Sequence, residues 1–289
     1  ADLNQSVPFV RQGLKDWVMY MVTEYAVDGI RLDTTPYMTH EFLQEVQELL
    51  HALDNPIHIL GEVTSTNLSF HASYQVQDGK DVLAGLENFP LTYMAMPGYC
   101  GWPNGPKSPV AQFDLTYLAI EMTLQQKSGL YKDLNLLMNM MDNQDETPIW
   151  GQYHMPGAGA GGCLGYPVLV RNAWAWLLFA KGMPVVTWGD EQGNSVYRNS
   201  LWQFNWNKTS WQYQLLNKMN AIRRSRNVAK ASQQVHLQYK SRLVFSRGCG
   251  LDQVFVLTNN LVLSEGQGVG YWFRLPRPPR GMMWRDALR

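Results

Sequence analysis

Strand, helix and strand follow one another near the start of this chain with short connections, and that succession restricts the fold more than any other feature of the sequence. Gly29 to Asp33 reads as an extended segment. Thr39 then stands where a helix cap belongs, ahead of Phe42, Val46, Leu49, Leu50 and Leu53 at helical spacing, and Asn55-Pro56 stops the helix. His58 to Val63 is the next strand. This is the rhythm of a parallel sheet with crossover helices. A helix over Phe9 to Tyr25, opened by Ser6 and Pro8, precedes it, with Val10, Leu14, Trp17, Val18, Met21, Val22 and Tyr25 on its apolar face.

The rhythm continues further along. A strand is expected near Val82 to Leu86, and Pro90 to Gly105 reads as a Pro/Gly/aromatic loop. Ser108 and Pro109 open a helix through Gln125 with Val110, Phe113, Tyr117, Ile120 and Leu124 on one face. Leu136 to Met141 is apolar enough for a strand covered on both sides. Val168 to Ala180 reads as a helix closed by Gly182 and Pro184, Pro184 to Trp188 as a buried strand, and Trp211, Leu215, Met219 and Ile222 mark a last helix. After about Val228 the pattern changes to short strands, at Leu243 to Phe245, Val254 to Thr258 and Tyr271 to Leu275, with a turn at Asn259-Asn260. The expected organisation is an α/β domain over 1–227 and a small β domain, possibly incomplete, over 228–289.

The 289 residues carry 24 Lys and Arg against 24 Asp and Glu, so no general field draws nucleic acid or an anionic membrane. No apolar run reaches the roughly 18 residues of a membrane span. The 11 Trp and 14 Tyr suit stacking on sugar rings, but a large core with aromatic members accounts for most of them. Cys100, Cys163 and Cys249 are far apart and odd in number, which excludes a metal cluster and allows at most one bridge. The six histidines, among them His154, show no paired ligand spacing. Gly157 to Gly162 satisfies the dinucleotide glycine pattern but follows no strand, so a rim loop is the better reading. Asn67-Leu68-Ser69 and Asn207-Lys208-Thr209 fit the glycosylation pattern at the frequency chance allows.

Three strands end in an acid: Asp33, Glu62 and, in Asp142-Asn143-Gln144-Asp145, Asp145. Taken singly, an acid at a strand end is usually a solvated turn residue, and Asp142-Asn143 reads as a turn. Parallel strands joined by helices gather their C-terminal ends at one face, so the three should meet. Alternation also puts Arg31 on the same side as Asp33, where it keeps that carboxylate charged. Glu62 follows an apolar strand and should have a raised pKa. Retaining hydrolysis of a glycosidic bond needs such a pair, one acid to attack the sugar carbon and the other to protonate the leaving oxygen.

These residues resemble the alpha-amylase family, the secreted fungal type above all. Gly29-Ile30-Arg31-Leu32-Asp33, Gly61-Glu62-Val63 and Asp142-Asn143-Gln144-Asp145 carry the likeness, together with Gly85-Leu86-Glu87-Asn88-Phe89-Pro90, Gly182 to Val186, Gly189-Asp190-Glu191-Gln192, Arg198 with Trp202, and Asn220 to Arg223. The resemblance implies the C-terminal part of a (β/α)8 barrel, about strands four to eight, followed by a small antiparallel β domain. It implies Asp33 as nucleophile, Glu62 as acid/base and Asp145 as transition-state stabiliser, on a starch-like alpha-1,4-glucan. Arg31, Asn143, Gln144, Arg198 and Tyr37 would bind substrate. The Tyr37 carbonyl would also reach a structural calcium whose other ligands lie in parts of the family's barrel without a counterpart here. Secretion, a monomeric state when complete and an N-terminal portion outside this chain are expected on the same ground, since five units leave a barrel edge unpaired and the chain alone little active.

The sequence departs from the family at Gln144, where His is usual, at Pro36-Tyr37, where fungal members carry Lys-His, and at Asn194, where an Asp is usual. A glucan transferase with the same acids, or a non-catalytic glucan-binding member, are the alternative readings.

Overall fold

The structure is a computed structural model that describes residues 3–101, 113–146, 148–151, 162–163, 165–196, 198–262, 275, 283 and 285–288. In chain order the elements are α1 (Pro8–Tyr25), β1 (Gly29–Leu32), α2 (His40–His51), β2 (His58–Gly61), α3 (Leu68–Ser73), β3 (Val76–Gln77), β4 (Lys80–Asp81) and β5 (Gly85–Glu87). They continue with α4 (Phe89–Cys100), α5 (Leu115–Lys127), β6 (Leu137–Asn139), α6 (Pro167–Phe179), β7 (Met183–Pro184), α7 (Trp211–Ser225), β8 (Gln233–Tyr239), β9 (Arg242–Arg247) and β10 (Val254–Asn259). The chain forms two compact units, residues 1–90 with 124–138, and residues 91–123 with 139–289.

The first unit is the expected parallel sheet. β1 pairs with β2, β2 with β5, and β5 with β6, all parallel. Thr39 caps α2 by accepting from Phe42 N at 3.3 Å, a contact worth about 1 kcal/mol. Phe42, Leu43, Val46 and Leu50 of α2 pack with Ile59, Val63, Leu83, Leu86 and Leu137 in one buried cluster. Gln47 is buried among them with both ends of its amide hydrogen-bonded. Its Nε2 donates to Ile57 O at 3.0 Å, and its Oε1 accepts from Ile59 N at 3.0 Å and Ala84 N at 3.1 Å, tying α2 to two neighbouring segments. Gly85 has no room for a side chain, since a Cβ there would lie 2.1 Å from the Leu136 carbonyl. On α1, Phe9, Trp17, Tyr20 and Tyr25 are exposed while Val22 is buried.

In the second unit Val185 N donates to Asn139 O at 2.8 Å, joining the end of β6 to the segment after β7. The β7 pairing is confined to Met183–Pro184, shorter than the strand expected to Trp188. α6 is buried almost all round, with Trp174 and Trp176 fully enclosed. The antiparallel sheet has the order β10-β9-β8 and lies after α7, as expected. Arg247 is buried where this sheet meets α6: its guanidinium donates to the carbonyls of Phe179 (2.6 Å), Val228 (2.7 Å), Ala231 (2.9 Å) and Ser232 (3.3 Å). A disulfide joins Cys100 and Cys163, and Cys249 is free and exposed.

Two expectations are corrected. Phe89 to Cys100 is a helix, although Pro90 to Gly105 reads as a loop. Pro90 sits in its first turn, where the missing N–H had no helical partner in any case, and the surrounding side chains are apolar on every face, so burial outweighs the local breaker signals. In α5 the face of Tyr117, Ile120 and Leu124 is exposed, and Leu115, Leu118, Ala119 and Met122 are buried instead. Ser108 to Val110, His154, Gly157 to Gly161 and Tyr271 to Arg274 lie outside the described residues. No helix among the described residues is long and apolar enough to cross a membrane.

Candidate active site

Register in the first sheet puts three acids in a row. Leu32 partners Gly61 and Gly61 partners Leu86, so the next residues along, Asp33, Glu62 and Glu87, stand side by side at the C-terminal ends of their strands. Arg31 bonds to all three, each through a different guanidinium nitrogen. Nη1 lies 2.5 Å from Asp33 Oδ1, Nη2 lies 3.1 Å from Glu62 Oε1, and Nε lies 2.6 Å from Glu87 Oε1. Solvent access falls across the row: the side chains are 71%, 11% and 7% exposed at Asp33, Glu62 and Glu87. The open acid is the one able to meet a bulky substrate, and the enclosed ones are held by the protein.

The backbone after β1 contributes as well. Thr34 adopts φ 45°, a left-handed conformation that is costly for a β-branched residue. The turn it makes directs its N–H to Glu62 Oε2 at 2.9 Å. Glu62 therefore accepts from Arg31 on one oxygen and from the Thr34 amide on the other.

Electrostatics follow from this crowding. Burial alone would lower the Arg31 pKa, but the bonds to Glu87 and Asp33 and the charge of Glu62 outweigh it and hold the guanidinium above its ordinary value. Glu87 is pushed up, first by burial, and Arg31 compensates only in part because Glu62 and Asp33 repel its charge. Behind Glu87, the fully buried His71 bonds through Nε2 to the Glu87 carbonyl at 2.9 Å and through Nδ1 to Tyr131 Oη at 2.9 Å. Burial lowers the His71 pKa to about 4, so the ring is neutral, with Nε2–H donating to Glu87 and Nδ1 accepting from Tyr131.

Asp145 lies in the second unit. Arg198 Nη2 donates to Asp145 Oδ1 at 2.7 Å and Arg198 Nε to Gln144 O at 2.9 Å. Gln144 Nε2 donates to Asp145 Oδ2 at 3.0 Å, and Asp145 N to Asn143 Oδ1 at 2.8 Å. Arg198 and Gln144 thus donate to the two oxygens of the Asp145 carboxylate, and Asn143 accepts from its backbone N–H. Asp142 is no solvated turn residue. It is buried and hydrogen-bonded to buried Asp190, and it accepts from Ile149 N at 2.5 Å. Asn194, near Asp190, is buried too.

Tyr37 closes a short 3-10 turn after Asp33 and is 71% exposed. Its carbonyl is one oxygen of the six to eight that calcium takes. No group of three His, Cys, Asp or Glu among the described residues is placed to hold a metal. By itself this one oxygen does not make a calcium site.

Comparison with known proteins decides the family. The model of the alpha amylase catalytic domain matches residues 1–241. The chain belongs to the alpha-amylase family. Alpha-amylase 2 of Schwanniomyces occidentalis is 25% identical over 268 residues, which are 88% of this chain and 46% of that protein. The cyclomaltodextrin glucanotransferase of Geobacillus stearothermophilus is 24% identical over 286 residues, 96% of this chain and 36% of that protein. Among solved structures, an alpha-amylase from Malbranchea cinnamomea superposes with a TM-score of 0.70 at 21% identity, over 90% of this chain and 50% of that one. The chain spans about half the length of the first of these relatives. The family and these folds agree with part of a (β/α)8 barrel followed by a small antiparallel sheet.

Of the residues expected from the sequence, the first sheet brings Asp33, Glu62 and Arg31 together, and Glu87 and the Asp142–Asp190 pair were not foreseen. A signal for Glu87 was present. It follows the strand expected over Val82 to Leu86 and ends β5, one residue before Asn88.

Proposed function

We propose that the protein is a retaining glycoside hydrolase acting on alpha-1,4-linked glucan chains. The observation that carries this reading is the Arg31 fork, which joins a solvent-open carboxylate, Asp33, to an enclosed one, Glu62, on adjacent strand ends. Asp33 attacks the anomeric carbon while Glu62 gives its proton to the departing glycosidic oxygen, forming a glucosyl ester on Asp33. Glu62, now a carboxylate, takes a proton from water, which attacks the same carbon and releases Asp33. Asp145 is assigned the stabilisation of the cationic transition state from its motif, with Arg198 and Gln144 orienting it. Tyr37, exposed beyond Asp33, is the proposed contact for the sugar on the leaving side, and its carbonyl the one proposed calcium ligand.

The proposed partner is an alpha-glucan oligo- or polysaccharide, and the proposed state is a monomer that binds neither nucleic acid nor membrane. An extracellular location is supported by the Cys100–Cys163 disulfide, since such bonds persist in oxidising compartments.

In the intact protein, Asp33→Asn and Glu62→Gln each lower turnover of soluble starch by about a thousandfold or more with folding retained. An activated fluoroglucoside should leave its mass on the peptide containing Asp33. Undiminished hydrolysis in either variant refutes the assignment. A second reading, transfer of the glucosyl group to another sugar, is favoured by the likeness to the glucanotransferase. New linkages formed without net reducing ends would establish transfer in place of hydrolysis.

A further inference from the structure

The third acid on Arg31 has no part in the reaction just described. Glu87 takes the guanidinium Nε at 2.6 Å, leaving Nη1 for Asp33 and Nη2 for Glu62. A guanidinium is planar, so a partner that fixes Nε fixes the directions in which both terminal nitrogens point. The second Glu87 oxygen, Oε2, is buried and has no hydrogen-bond partner among the described residues. Leaving a carboxylate oxygen in that condition is costly, and an apolar residue of the same size would avoid the cost. A buried acid in this place is therefore informative.

We propose that Glu87 is a positioning residue of the catalytic row, which aims Arg31 at Asp33 and Glu62 and sets the alkaline limit of activity through its own charge. The inference rests on the assignment of Asp33 and Glu62 given above. Among the described residues, the groups that bear on Glu87 are Arg31 and Asp33 from β1 and its end, Glu62 from the end of β2, and, through the backbone, His71 of α3 with Tyr131 behind it. His71 is neutral, which leaves Arg31 as the cation among these groups, shared by three acids.

The charge has a definite direction of effect. Once Glu87 ionises, its negative charge beside the acids on Arg31 opposes any further build-up of negative charge in the row, so the alkaline limb of activity lies at higher pH than it would without that charge. On the acid side the enclosure of Glu87 favours its neutral form, so its charge is withdrawn there and the acid limb is left alone.

The test compares Glu87→Gln and Glu87→Leu in the intact protein, with kcat and KM on maltooligosaccharide measured across pH. Gln retains an oxygen for Arg31 Nε but no charge. It should keep kcat at the optimum within about threefold, move the alkaline limb of kcat/KM down by about one pH unit and leave the acid limb in place. Leu offers Nε nothing, and should lower kcat by about 10- to 100-fold with KM changed less than threefold. A profile unmoved in Gln, or equal losses in Gln and Leu, would overturn the proposal. So would a Leu variant with unchanged kcat, or one whose loss tracks its unfolded fraction by circular dichroism. If Asp33→Asn also retains activity, the underlying assignment has failed. If Asp33→Asn is inactive while the Glu87 variants behave as wild type, only the role of Glu87 has.

Discussion

The Asp142–Asp190 pair makes stability depend on pH in a way that one substitution can expose. Both carboxyls are buried in the second unit and are hydrogen-bonded to each other. Burial raises both, Asp142 from 3.8 to about 6, and Asp190 is raised further by the charges of Asp142 and Glu191. A group whose folded pKa lies above its unfolded value holds its proton more tightly in the folded state. Folded stability is then greatest below the unfolded pKa and falls as pH rises through the folded one. A rise of about two pKa units corresponds to roughly 3 kcal/mol, lost between about pH 4 and pH 7 by Asp142 alone. Asp190→Asn removes the second acid and leaves an amide that donates to Asp142 without titrating. Burial still raises Asp142, so its own share of the pH-dependent loss stays, while the share of Asp190 should vanish. Urea unfolding of both proteins at pH 4.5, 6 and 7.5 measures this, and groups common to the two cancel in the comparison. The variant is expected to gain on wild type between the lowest and highest pH, by on the order of 1 kcal/mol or more, as the titration of the raised Asp190 is removed. Parallel profiles, or an equal penalty at every pH, would refute the idea that these two carboxyls share a proton.

Two further outcomes concern the scaffold. The Cys100–Cys163 bond closes a loop across 63 positions, and its removal in a Cys100→Ala, Cys163→Ala chain should cost about 4 kcal/mol by loop entropy, read from denaturant midpoints; an unchanged midpoint would show that the bond contributes nothing. Arg247→Met should cost about 3 kcal/mol or more because it strips donors from four backbone carbonyls, and a loss under about 1 kcal/mol in the same assay would show that water or local rearrangement replaces them.

What could be foreseen divides along physical lines. α1, α2 and α7 were legible from an apolar stripe and α6 from a longer apolar run, helped by local signals such as Thr39 and Gly182. α4 was not, because Pro90, Pro97 and a run of aromatics mark a loop wherever burial does not override them. β8 was missed since Gln233, Gln234 and Gln238 dilute its alternation, which a bulge between Val235 and Leu237 also interrupts. Arg31 beside Asp33 followed from two-residue periodicity alone. Glu87 did not, because its place depends on how β5 registers against β2, and register is a property of two segments that no single stretch contains. Asp142 misled for a related reason. Asp-Asn is a common turn pair, and only packing shows that this one is enclosed.

The bond from His71 to the Glu87 carbonyl has an implication for anyone surveying variants of this protein. A neutral imidazole wedged between Tyr131 and the backbone of β5 buttresses the chain directly behind the innermost acid. Damage to that prop would surface as faulty chemistry in a screen. Lesions at positions 71 and 131 would therefore mimic those at the reacting groups, though neither ring is asked to touch a sugar.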